Sequence, residues 1–559
     1  VELTKHRGEF LNRFLYEEGN DSYKFLGTSN GIAGVNVVAG GKGRVGPYAG
    51  GWQSNAMKNR LGMLLPDTLH VSPEEVANCA EEINHHLERA DQVQHIQKLN
   101  DPDFPDCVDY YDMAMLADLE QGWSVPEKTR ISVKKAILNG INVIHIEDQG
   151  VAKRCGHLGD KELNTYEDHA VIMRSANLAA QELLGPEQAD KQWVRFVART
   201  DAYSAKRIHN SRNLHDHNNP EYKFVDWGRG YSPDGKYLYL KQGVNPDTGR
   251  TWGLDLSIER SARLIDDGLA SHVWMETPNA DLQVAKDFIS NVNNILLPKG
   301  KRGYGLYNHS PSFDWDVKFF AEAEILTDMI INYVMDEVYG YAHSLCDDVT
   351  VMNRLLTSSY SSVFEGSIRD FISNHGEEVQ GDKLFTDENI KNISMHCLDY
   401  VRGEEKWTKN INDRMELLGN SHIDSSIRGF LNQQKINGFN PKKNITEIIV
   451  DQRLNNFSPM LASFGFDMHL ITLPEFHVTA YNMHMLADDF AVNGINAFVK
   501  NTQRPERIYS ETDKSYTYYK HQTATGTGIE ALFNKSVGSS NVNTLSDSTE
   551  SDDISSRKN

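Results

Sequence analysis

The feature that most constrains the fold is a series of eight short apolar runs that alternate with segments of helical periodicity. Runs of this length between turn residues are typical of buried strands. Strands that alternate with helices predict βαβ units and a parallel sheet, and eight of them favour a closed (β/α)8 TIM-type barrel, an α/β fold, over an open sheet. The predicted strands are residues 23–27, 44–49, 113–117, 141–146, 193–198, 272–275, 303–307 and 468–471.

Helix signals occupy the intervals between the runs. The segment 72–75 (Ser-Pro-Glu-Glu) has the form of a capping box with proline at the first helical position. Thr165 predicts the start of a second helix and Gly185 its end. Ser257 predicts the start of a third helix, which Gly268 ends.

The alternation breaks after the seventh run, because Ser312 and Thr472 are 160 residues apart, too far for one helical crossover. The intervening stretch has helical character. We therefore expect N-terminal helices with the first seven barrel strands at 1–316, an inserted helical subdomain at 317–460, the last strand with C-terminal helices at 461–535, and a flexible lid or tail at 536–559.

The composition indicates which classes of partner and which cellular compartment to expect. The net charge is -21, and nucleic acid and anionic membranes attract basic surfaces, so we expect neither as a partner. No apolar run reaches the ~18 residues of a membrane helix. The five cysteines are scattered and odd in number, which argues against a disulfide framework and for the reducing cytoplasm. The chain starts at Val1, and we expect residues to precede it.

Nearly every predicted strand ends in polar or small residues. The C-terminal ends of parallel barrel strands meet at one mouth, where active sites lie, so we expect these residues to form a site. For any one strand the alternative is that loops are polar in general, but acids, an arginine and hydroxyls together favour a site. The residues are Gly50, Gly51, Trp52, Asp118, Glu120, Glu147, Arg199, Glu276, Asn308, His309, Ser310 and Thr472.

A basic loop at 153–158 (Lys-Arg-Cys-Gly-His-Leu) follows the fourth run and is predicted to lie over the mouth. Neighbouring cations lower the pKa of a thiol, and three basic residues, His157 among them, lie within two positions of Cys155. Gly156 permits close backbone approach to a ligand. Cys155 is therefore a candidate acid–base thiol, and the alternative is an ordinary cysteine in a basic loop.

The acids of the third and fourth strand ends suggest a metal site. Carboxylate oxygens are hard ligands that suit Mg²⁺. Residues i and i+2 of a strand share a face, so Asp118 and Glu120 can face one ion, with Glu147 on the next strand. The alternative is a set of salt bridges to barrel lysines and arginines.

Neutral donors follow the seventh strand. Asn308, Ser310 and Ser312 alternate, and together with Arg199, which can hold a carboxylate through two hydrogen bonds, they predict a carboxylate cradle. Taken alone, the stretch is an ordinary serine- and proline-containing loop.

These residues resemble the isocitrate lyases. The segment 153–158 is similar to the signature hexapeptide of that family, and further motifs, in order, extend the resemblance over most of the chain outside 317–460. They are Gly-Trp-Gln at 51–53, Leu-Pro-Asp at 65–67, Arg-Ala-Asp-Gln at 89–92, Ala-Asp-x-Glu at 117–120, Glu-Asp-Gln at 147–149, Ala-Arg-Thr-Asp at 198–201, Trp-Met-Glu-Thr at 274–277, Ser-Pro-Ser-Phe at 310–313, Phe-His at 476–477 and Lys-His-Gln at 520–522.

The resemblance implies the barrel of the phosphoenolpyruvate mutase/isocitrate lyase superfamily and a homotetramer that exchanges a helix between subunits. It implies Mg²⁺-dependent (or Mn²⁺-dependent) cleavage of isocitrate to glyoxylate and succinate in the glyoxylate cycle. Asp118 would bind the metal, Asp67, Glu120 and Glu147 would hold its waters, and Cys155 would be the catalytic thiol. The implied substrate contacts are Gly50, Gly51, Trp52, Gly156, His157, Arg199, Glu276, Asn308, His309, Ser310, Pro311, Ser312 and Thr472.

Some positions depart from the family pattern, and two alternatives remain. Gly50 stands where serine is frequent, His309 where many members have cysteine, and compact members lack 317–460. Cleavage of 2-methylisocitrate to pyruvate and succinate is one alternative, since one methyl group changes binding by only ~1–3 kcal/mol. Leu158 favours the isocitrate branch, because methylisocitrate lyases tend to carry arginine there. A non-catalytic barrel whose insertion binds a partner is the other alternative, and the intact cysteine and acids argue against it.

Overall fold

The computed structural model describes residues 1–58, 72–100, 108–150, 160–344, 361–375, 385–403, 441–513, 515–525, 533–534 and 536–538. The chain forms two compact units. The first comprises Val1–Phe313 with Leu461–Asn559, and the second Asp314–Met460.

Eight strands of the first unit close into one barrel, in which every strand is parallel to both neighbours and follows chain order around the ring. Each predicted run overlaps one of these strands, so the predicted (β/α)8 barrel is confirmed. The strands are Tyr23–Gly27 (β1), Val45–Ala49 (β2), Leu116–Asp118 (β3), Val143–Glu147 (β4), Arg195–Thr200 (β5), His272–Met275 (β6), Tyr304–Asn308 (β7) and Phe466–Ile471 (β8).

The α-helices, in chain order, are Glu2–Asn12 (α1), Gly31–Gly41 (α2), Gly51–Lys58 (α3), Pro73–Asn100 (α4), Pro126–Leu138 (α5), Tyr166–Leu184 (α6), Gln188–Lys191 (α7), Trp252–Asp266 (α8), Leu282–Leu296 (α9), Trp315–Ser344 (α10), Ser361–Asn374 (α11), Asp387–Gly403 (α12), Pro441–Phe464 (α13), Pro474–Asn493 (α14), Ile495–Phe498 (α15), Arg504–Thr512 (α16) and His521–Ala524 (α17). Two of them show how well the capping signals work.

Helix α6 begins where the sequence predicts, because the Thr165 side chain accepts a hydrogen bond from the backbone N–H of Asp168. The predicted start of α8 at Ser257 is wrong. Thr251 caps that helix by accepting from the N–H of Leu254. Ser257 lies inside the helix, where its hydroxyl donates to the carbonyl of Gly253 at 2.8 Å. A serine can also lie inside a helix when its hydroxyl donates to a carbonyl of the preceding turn, and for this reason the capping prediction failed here.

Alternate residues of the strands fill the barrel. One cluster of buried side chains contains Tyr23, Leu116, Val197, Leu306 and Leu470, each from a different strand. The same cluster includes four residues at the N-terminus, of which two aromatic rings pack on Tyr23 at 6.0 and 5.2 Å between ring centroids. The interior of the barrel is thus a packed core. Because side chains alternate along a strand, the residue two positions after the last interior side chain also faces inward, at the mouth of the barrel.

A second, smaller sheet was not predicted; its first strand precedes α6 in the chain, and the other two lie between α7 and α8. It consists of Glu162–Leu163, Arg207–His209 and Tyr237–Tyr239, with the middle strand parallel to the first and antiparallel to the last. Its short strands pack on their own apolar cluster, which includes Ile208 and Leu238. Strands this short lack a clear period-two pattern, which is why the sequence did not reveal them.

The second unit is helical. The buried residues of α10 to α13 include Phe319, Phe371, Ile393 and Ile449. Inside this unit the hydroxyls of Thr327 and Thr446 form a buried hydrogen bond of 3.0 Å.

Across the parts of the chain placed by the structure, no helix combines the length and apolarity that crossing a membrane requires.

Candidate active site

The C-terminal mouth of the barrel gathers charged and polar side chains from five strands. Each lies two residues beyond an interior position, so the strand period turns it to the inside. All five are buried: Asp118, Glu147, Arg199, Glu276 and Asn308 are between 1% and 8% exposed. Burial of so many ionisable groups requires pairing among them.

Arg199 is the centre of that pairing. Its guanidinium lies 3.3 Å from Glu147 Oε2, 3.1 Å from Asp201 Oδ2 and 3.8 Å from Glu276 Oε2, and it stacks over the Trp274 ring at 4.6 Å. Burial by itself would lower the pKa of Arg199, but the surrounding carboxylates outweigh it and hold that pKa well above its usual value. The carboxylates around Arg199 therefore stabilise its charged form.

Asp118 and Glu120 converge above Gly51. A Cβ at Gly51 would lie 2.6 Å from Glu120 Oε1 and 3.2 Å from Asp118 Oδ2, so only glycine leaves room for both carboxylates. Glu120 has a left-handed backbone, with φ of 52°, and its N–H donates to Asp118 Oδ1 at 2.8 Å. A non-glycine residue in this region is strained, and such strain is frequent at functional sites.

Tyr48 and His145 support Asp118 from inside the barrel. The Tyr48 hydroxyl lies 3.0 Å from His145 Nε2, and that nitrogen lies 3.7 Å from Asp118 Oδ1. All three side chains are buried. The orientation of Asp118 is therefore determined by groups below it as well as by the strand.

The arrangement of these carboxylates bears on whether they can bind the predicted Mg²⁺. Among the described residues, no three His, Cys, Asp or Glu side chains are grouped closely enough to enclose an ion. Mg²⁺, however, takes few protein carboxylates and keeps several waters. The two converging carboxylates, Asp118 and Glu120, fit such an ion, and Glu147 lies on the adjoining strand. Asp67 lies outside the described residues.

A second layer of buried ion pairs holds the mouth from behind, and sequence reasoning missed most of it. Arg260 on α8 donates to Asp148 and to Glu221, each at 2.7 Å. Lys161 donates to Asp201 Oδ1 at 2.7 Å, so Asp201 joins this layer to Arg199. The available signal was an arginine on the buried face of an amphipathic helix.

The predicted carboxylate cradle forms only in part. Asn308 and Ser310 are buried, whereas Ser312 is exposed and Pro311 half-buried. The chain turns after Ser310, whose carbonyl accepts from the N–H of Phe313 at 3.1 Å, so the strand period does not continue to Ser312. The Ser310 hydroxyl accepts the N–H of Ser312 at 3.1 Å.

The remaining predicted contacts lie at the start of α3 and just after β8. The carbonyl of Thr472 lies so close to Gly27 that a Cβ there would be 2.0 Å from its oxygen. Gly50 immediately precedes α3, Gly51 begins it, and the Trp52 ring meets Phe476 edge-on at 5.3 Å. These contacts join the mouth to the start of α14.

Glu475 was not predicted and joins the same elements. Its carboxylate accepts from the Ser29 N–H at 2.6 Å, from the Gln53 amide at 3.0 Å, and from Asn30. In the sequence, Glu475 is only an acidic residue after a proline at the start of a helix, so nothing predicted that it would connect β1, α2 and α3.

Cys155, Gly156 and His157 lie outside the described residues. The chain on either side of them is anchored at the mouth, because the Gly150 N–H donates to the carbonyl of Glu162 at 2.8 Å. The described residues that flank this segment, Gly150 and Glu162, therefore lie side by side shortly after the end of β4.

The side chain of His309 does not lie with the other predicted substrate-contact residues at the mouth. Its ring faces away from the barrel interior and stacks on His469, with Nε2 2.9 Å from His469 Nδ1. The strand period explains this, since Asn308 and Ser310 take the opposite face. Burial, with a smaller effect from Lys24, lowers the pKa of His309 to about 4.

This half-buried imidazole should make stability depend on pH. An unfolded histidine binds a proton near pH 6.5, whereas folded His309 stays neutral down to about 4, so stability is lost as pH falls through that window. We expect His309→Cys to remove about 2 kcal/mol of the loss between pH 7.5 and 5, measured by denaturant unfolding. The exposed His95→Gln should keep the wild-type slope, and an unchanged slope in His309→Cys would contradict this.

The architecture and the mouth define the class of protein: a (β/α)8 barrel with converging carboxylates beside a buried arginine at the C-terminal ends of its strands. No family model matches the chain.

Comparison with known proteins identifies its relatives as isocitrate lyases. The chain is 30% identical to isocitrate lyase of Halalkalibacterium halodurans over 315 residues, which cover 56% of this chain and 64% of that protein. It is 29% identical to isocitrate lyase of Corynebacterium efficiens, covering 57% and 65%. It is 30% identical to isocitrate lyase 1 of Mycobacterium tuberculosis, covering 52% and 59%. The matched part is thus less than two thirds of each relative.

Solved structures match at a lower level. A 2,3-dimethylmalate lyase of the phosphoenolpyruvate mutase/isocitrate lyase superfamily is 18% identical, with a TM-score of 0.35, covering 55% of this chain and 72% of that chain. The relationship to isocitrate lyases rests on the sequence matches.

Proposed function

We propose that the protein is an isocitrate lyase, which cleaves isocitrate to glyoxylate and succinate with Mg²⁺. The observation that supports this most is the presence, at one mouth, of the converging Asp118 and Glu120 carboxylates and the buried cation Arg199. Carboxylates supply a divalent ion with oxygen ligands, and a buried guanidinium binds a substrate carboxylate. Cleavage of a tricarboxylate needs both.

Asp118 and Glu120 would hold the magnesium and its waters, with Glu147 beside them. When bound, the ion would polarise the substrate hydroxyl and its neighbouring carboxylate and so make the hydroxyl more acidic. The remaining chemistry falls to side chains of the chain.

Glu276, buried beside Arg199, is our candidate for accepting the proton of the C2 hydroxyl. The C2–C3 bond then breaks: the oxygen electron pair forms the aldehyde of glyoxylate, and the bonding pair passes to C3 of the departing succinate as an enediolate. Arg199 and the Asn308 amide would bind that charge as it develops. Cys155 would donate the proton that C3 requires.

The proposal is tested by trapping glyoxylate as a hydrazone, with isocitrate as substrate and with Mg²⁺ or EDTA present. We expect release only with the metal. The same assay with 2-methylisocitrate, reading pyruvate, decides between the two substrates by the ratio of their kcat/KM values. No keto-acid product from either substrate would overturn the proposal.

Asp118→Asn should separate metal binding from catalysis. An amide oxygen still ligates Mg²⁺ but carries no charge, so we expect the Mg²⁺ concentration for half-maximal activity to rise by about 10- to 100-fold. Saturating Mg²⁺ should restore much of the turnover. Asp234→Asn, at an exposed carboxylate, is the control. A titration midpoint equal to wild type would remove Asp118 from the metal site.

We further propose that the protein is a homotetramer. No residue of α14 is buried, and several of its apolar side chains are more than half exposed: Val478, Tyr481, Phe490 and Val492. So many exposed apolar side chains on one helix favour burial against a second copy.

Light scattering after size exclusion should therefore show an assembly larger than one 63.2 kDa chain. Tyr481→Glu places a charge on α14 and should shift the protein toward monomer at micromolar concentration. Val244→Glu, at an exposed apolar residue elsewhere, should not. A wild-type protein that is monomeric at these concentrations would contradict the assembly.

The cytoplasm is the compartment that we propose. Cys79 and Cys397 are buried, and neither forms a disulfide with another described residue. Free thiols are typical of proteins in reducing compartments.

A further inference from the structure

A cavity of about 340 Å³ lies at the end of the barrel opposite the candidate active site. Ser271 and His272 line it at the start of β6, and Arg302 and Tyr304 at the start of β7. The barrel strands are parallel, so their starts lie at the face opposite the mouth. The volume is within the range of small-molecule sites.

The lining of this cavity is mostly polar. Asn177 and Gln181 of α6 contribute amides, and Gln192 contributes a third. Two tyrosine rings, Tyr16 and Tyr304, stand at its wall with their centroids 5.8 Å apart. Such a lining suits a hydrogen-bonding ligand better than an apolar one.

The charged residues of the lining are all basic. They are Lys301 and Arg302, with the titratable His272 deeper in the wall, and no carboxylate is among the lining residues. In a chain with a net charge of -21, a cavity whose charged lining residues are all cations is unexpected. Two carboxylates contact lining residues without lining the cavity themselves. Asp266 pairs with Lys301, and Asp467 lies 3.1 Å from His272 Nε2.

A buried cation adds to this charge. Arg195, at the start of β5, is 1% exposed and lies over the Tyr16 ring at 5.5 Å. Its Nε and Nη1 atoms are buried and donate no hydrogen bond of good geometry to the described residues. Tyr16 is thus placed between a buried guanidinium and the cavity.

We propose that this cavity binds a small phosphate ester. The guanidinium of Arg302 would bind the phosphoryl oxygens, because a guanidinium donates parallel hydrogen bonds to such groups. Lys301, whose ammonium is paired with Asp266, would stand beside them. The amides of Gln181 and Gln192 would hold the polar remainder of the ligand. The site is separate from the mouth and does not depend on the function proposed for it.

The proposal is tested by titration calorimetry with glycerol 3-phosphate and adenosine monophosphate, each beside its unphosphorylated form, glycerol or adenosine. Saturating succinate is added to occupy carboxylate-binding groups at the mouth. We expect the phosphorylated probes to bind with dissociation constants near or below about 1 mM and the unphosphorylated ones not to bind. A lower constant for adenosine monophosphate than for glycerol 3-phosphate would assign the tyrosine pair a role in binding the ring.

Two variants and their matched controls locate the site. Arg302→Gln removes the cation and Gln181→Trp fills the cavity, and each should weaken phosphate binding at least tenfold. Lys236→Gln and Gln283→Trp, at exposed positions elsewhere, should not. Thermal unfolding of each variant checks that it is folded. The proposal is overturned if no phosphorylated probe saturates below about 10 mM, if succinate displaces it, or if both cavity variants bind as wild type does.

Discussion

Arg199→Gln is expected to lose both stability and turnover. The substitution keeps a polar side chain but removes the cation that faces the buried carboxylates of Glu147, Asp201 and Glu276. Removing one partner of a buried ion pair costs about 3–5 kcal/mol, because the other charge is left unpaired. Loss of a donor to developing negative charge lowers kcat by about 10²–10³-fold.

Denaturant unfolding and the glyoxylate assay measure these two effects separately. Arg130→Gln is the matched control, since Arg130 pairs with Glu182 at the surface and its loss should leave the free energy of unfolding close to the wild-type value. A second substitution, Glu276→Gln, added to Arg199→Gln should recover part of the stability but none of the turnover. Wild-type stability in Arg199→Gln would show that the carboxylates do not depend on it.

Cys155→Ser is expected to lower turnover by about 10²–10⁴-fold while leaving the fold and Mg²⁺ binding intact. A hydroxyl is a far weaker acid than a thiol, so the proton that C3 of the departing succinate requires would arrive slowly. The size of the effect is that of one positioned proton donor. The measurement is glyoxylate release at saturating isocitrate, with Mg²⁺ affinity from the titration midpoint.

Cys397→Ser is the control for loss of a thiol, because Cys397 is a buried thiol of the second unit, and it should retain wild-type turnover. Solvent exchange gives an independent readout: Cys155→Ser should slow the incorporation of deuterium into succinate as much as it slows turnover. Near-normal glyoxylate release in Cys155→Ser would assign proton donation to another group.

The barrel and the candidate residues at its mouth could be predicted because both depend on local periodicity. An apolar run of a given length predicts a strand, and the residue two positions past an interior side chain shares its face. Asp118, Glu147 and Asn308 follow this rule and are buried at the mouth. His309 and Ser312 show its limits, since His309 takes the outer face of β7 and Ser312 follows a turn.

The groups that support the mouth could not be predicted, because they come from elements distant in the chain. Arg260 reaches Asp148 across 112 positions, and Glu475 meets Ser29 across 446. No local pattern reports which helix face will meet which strand end. The cavity at the opposite end is of the same kind, since its lining comes from segments that run from Tyr16 to Tyr304.

By itself, the order of apolar and polar residues determined that this chain builds eight parallel strands and that acids and an arginine follow them, because strand period and helix capping are local effects. The tertiary structure alone decided which carboxylates share Arg199, which face each histidine takes, and that cations line a cavity at the opposite end. Those outcomes depend on closure of the barrel, which places side chains in contact regardless of their distance along the chain.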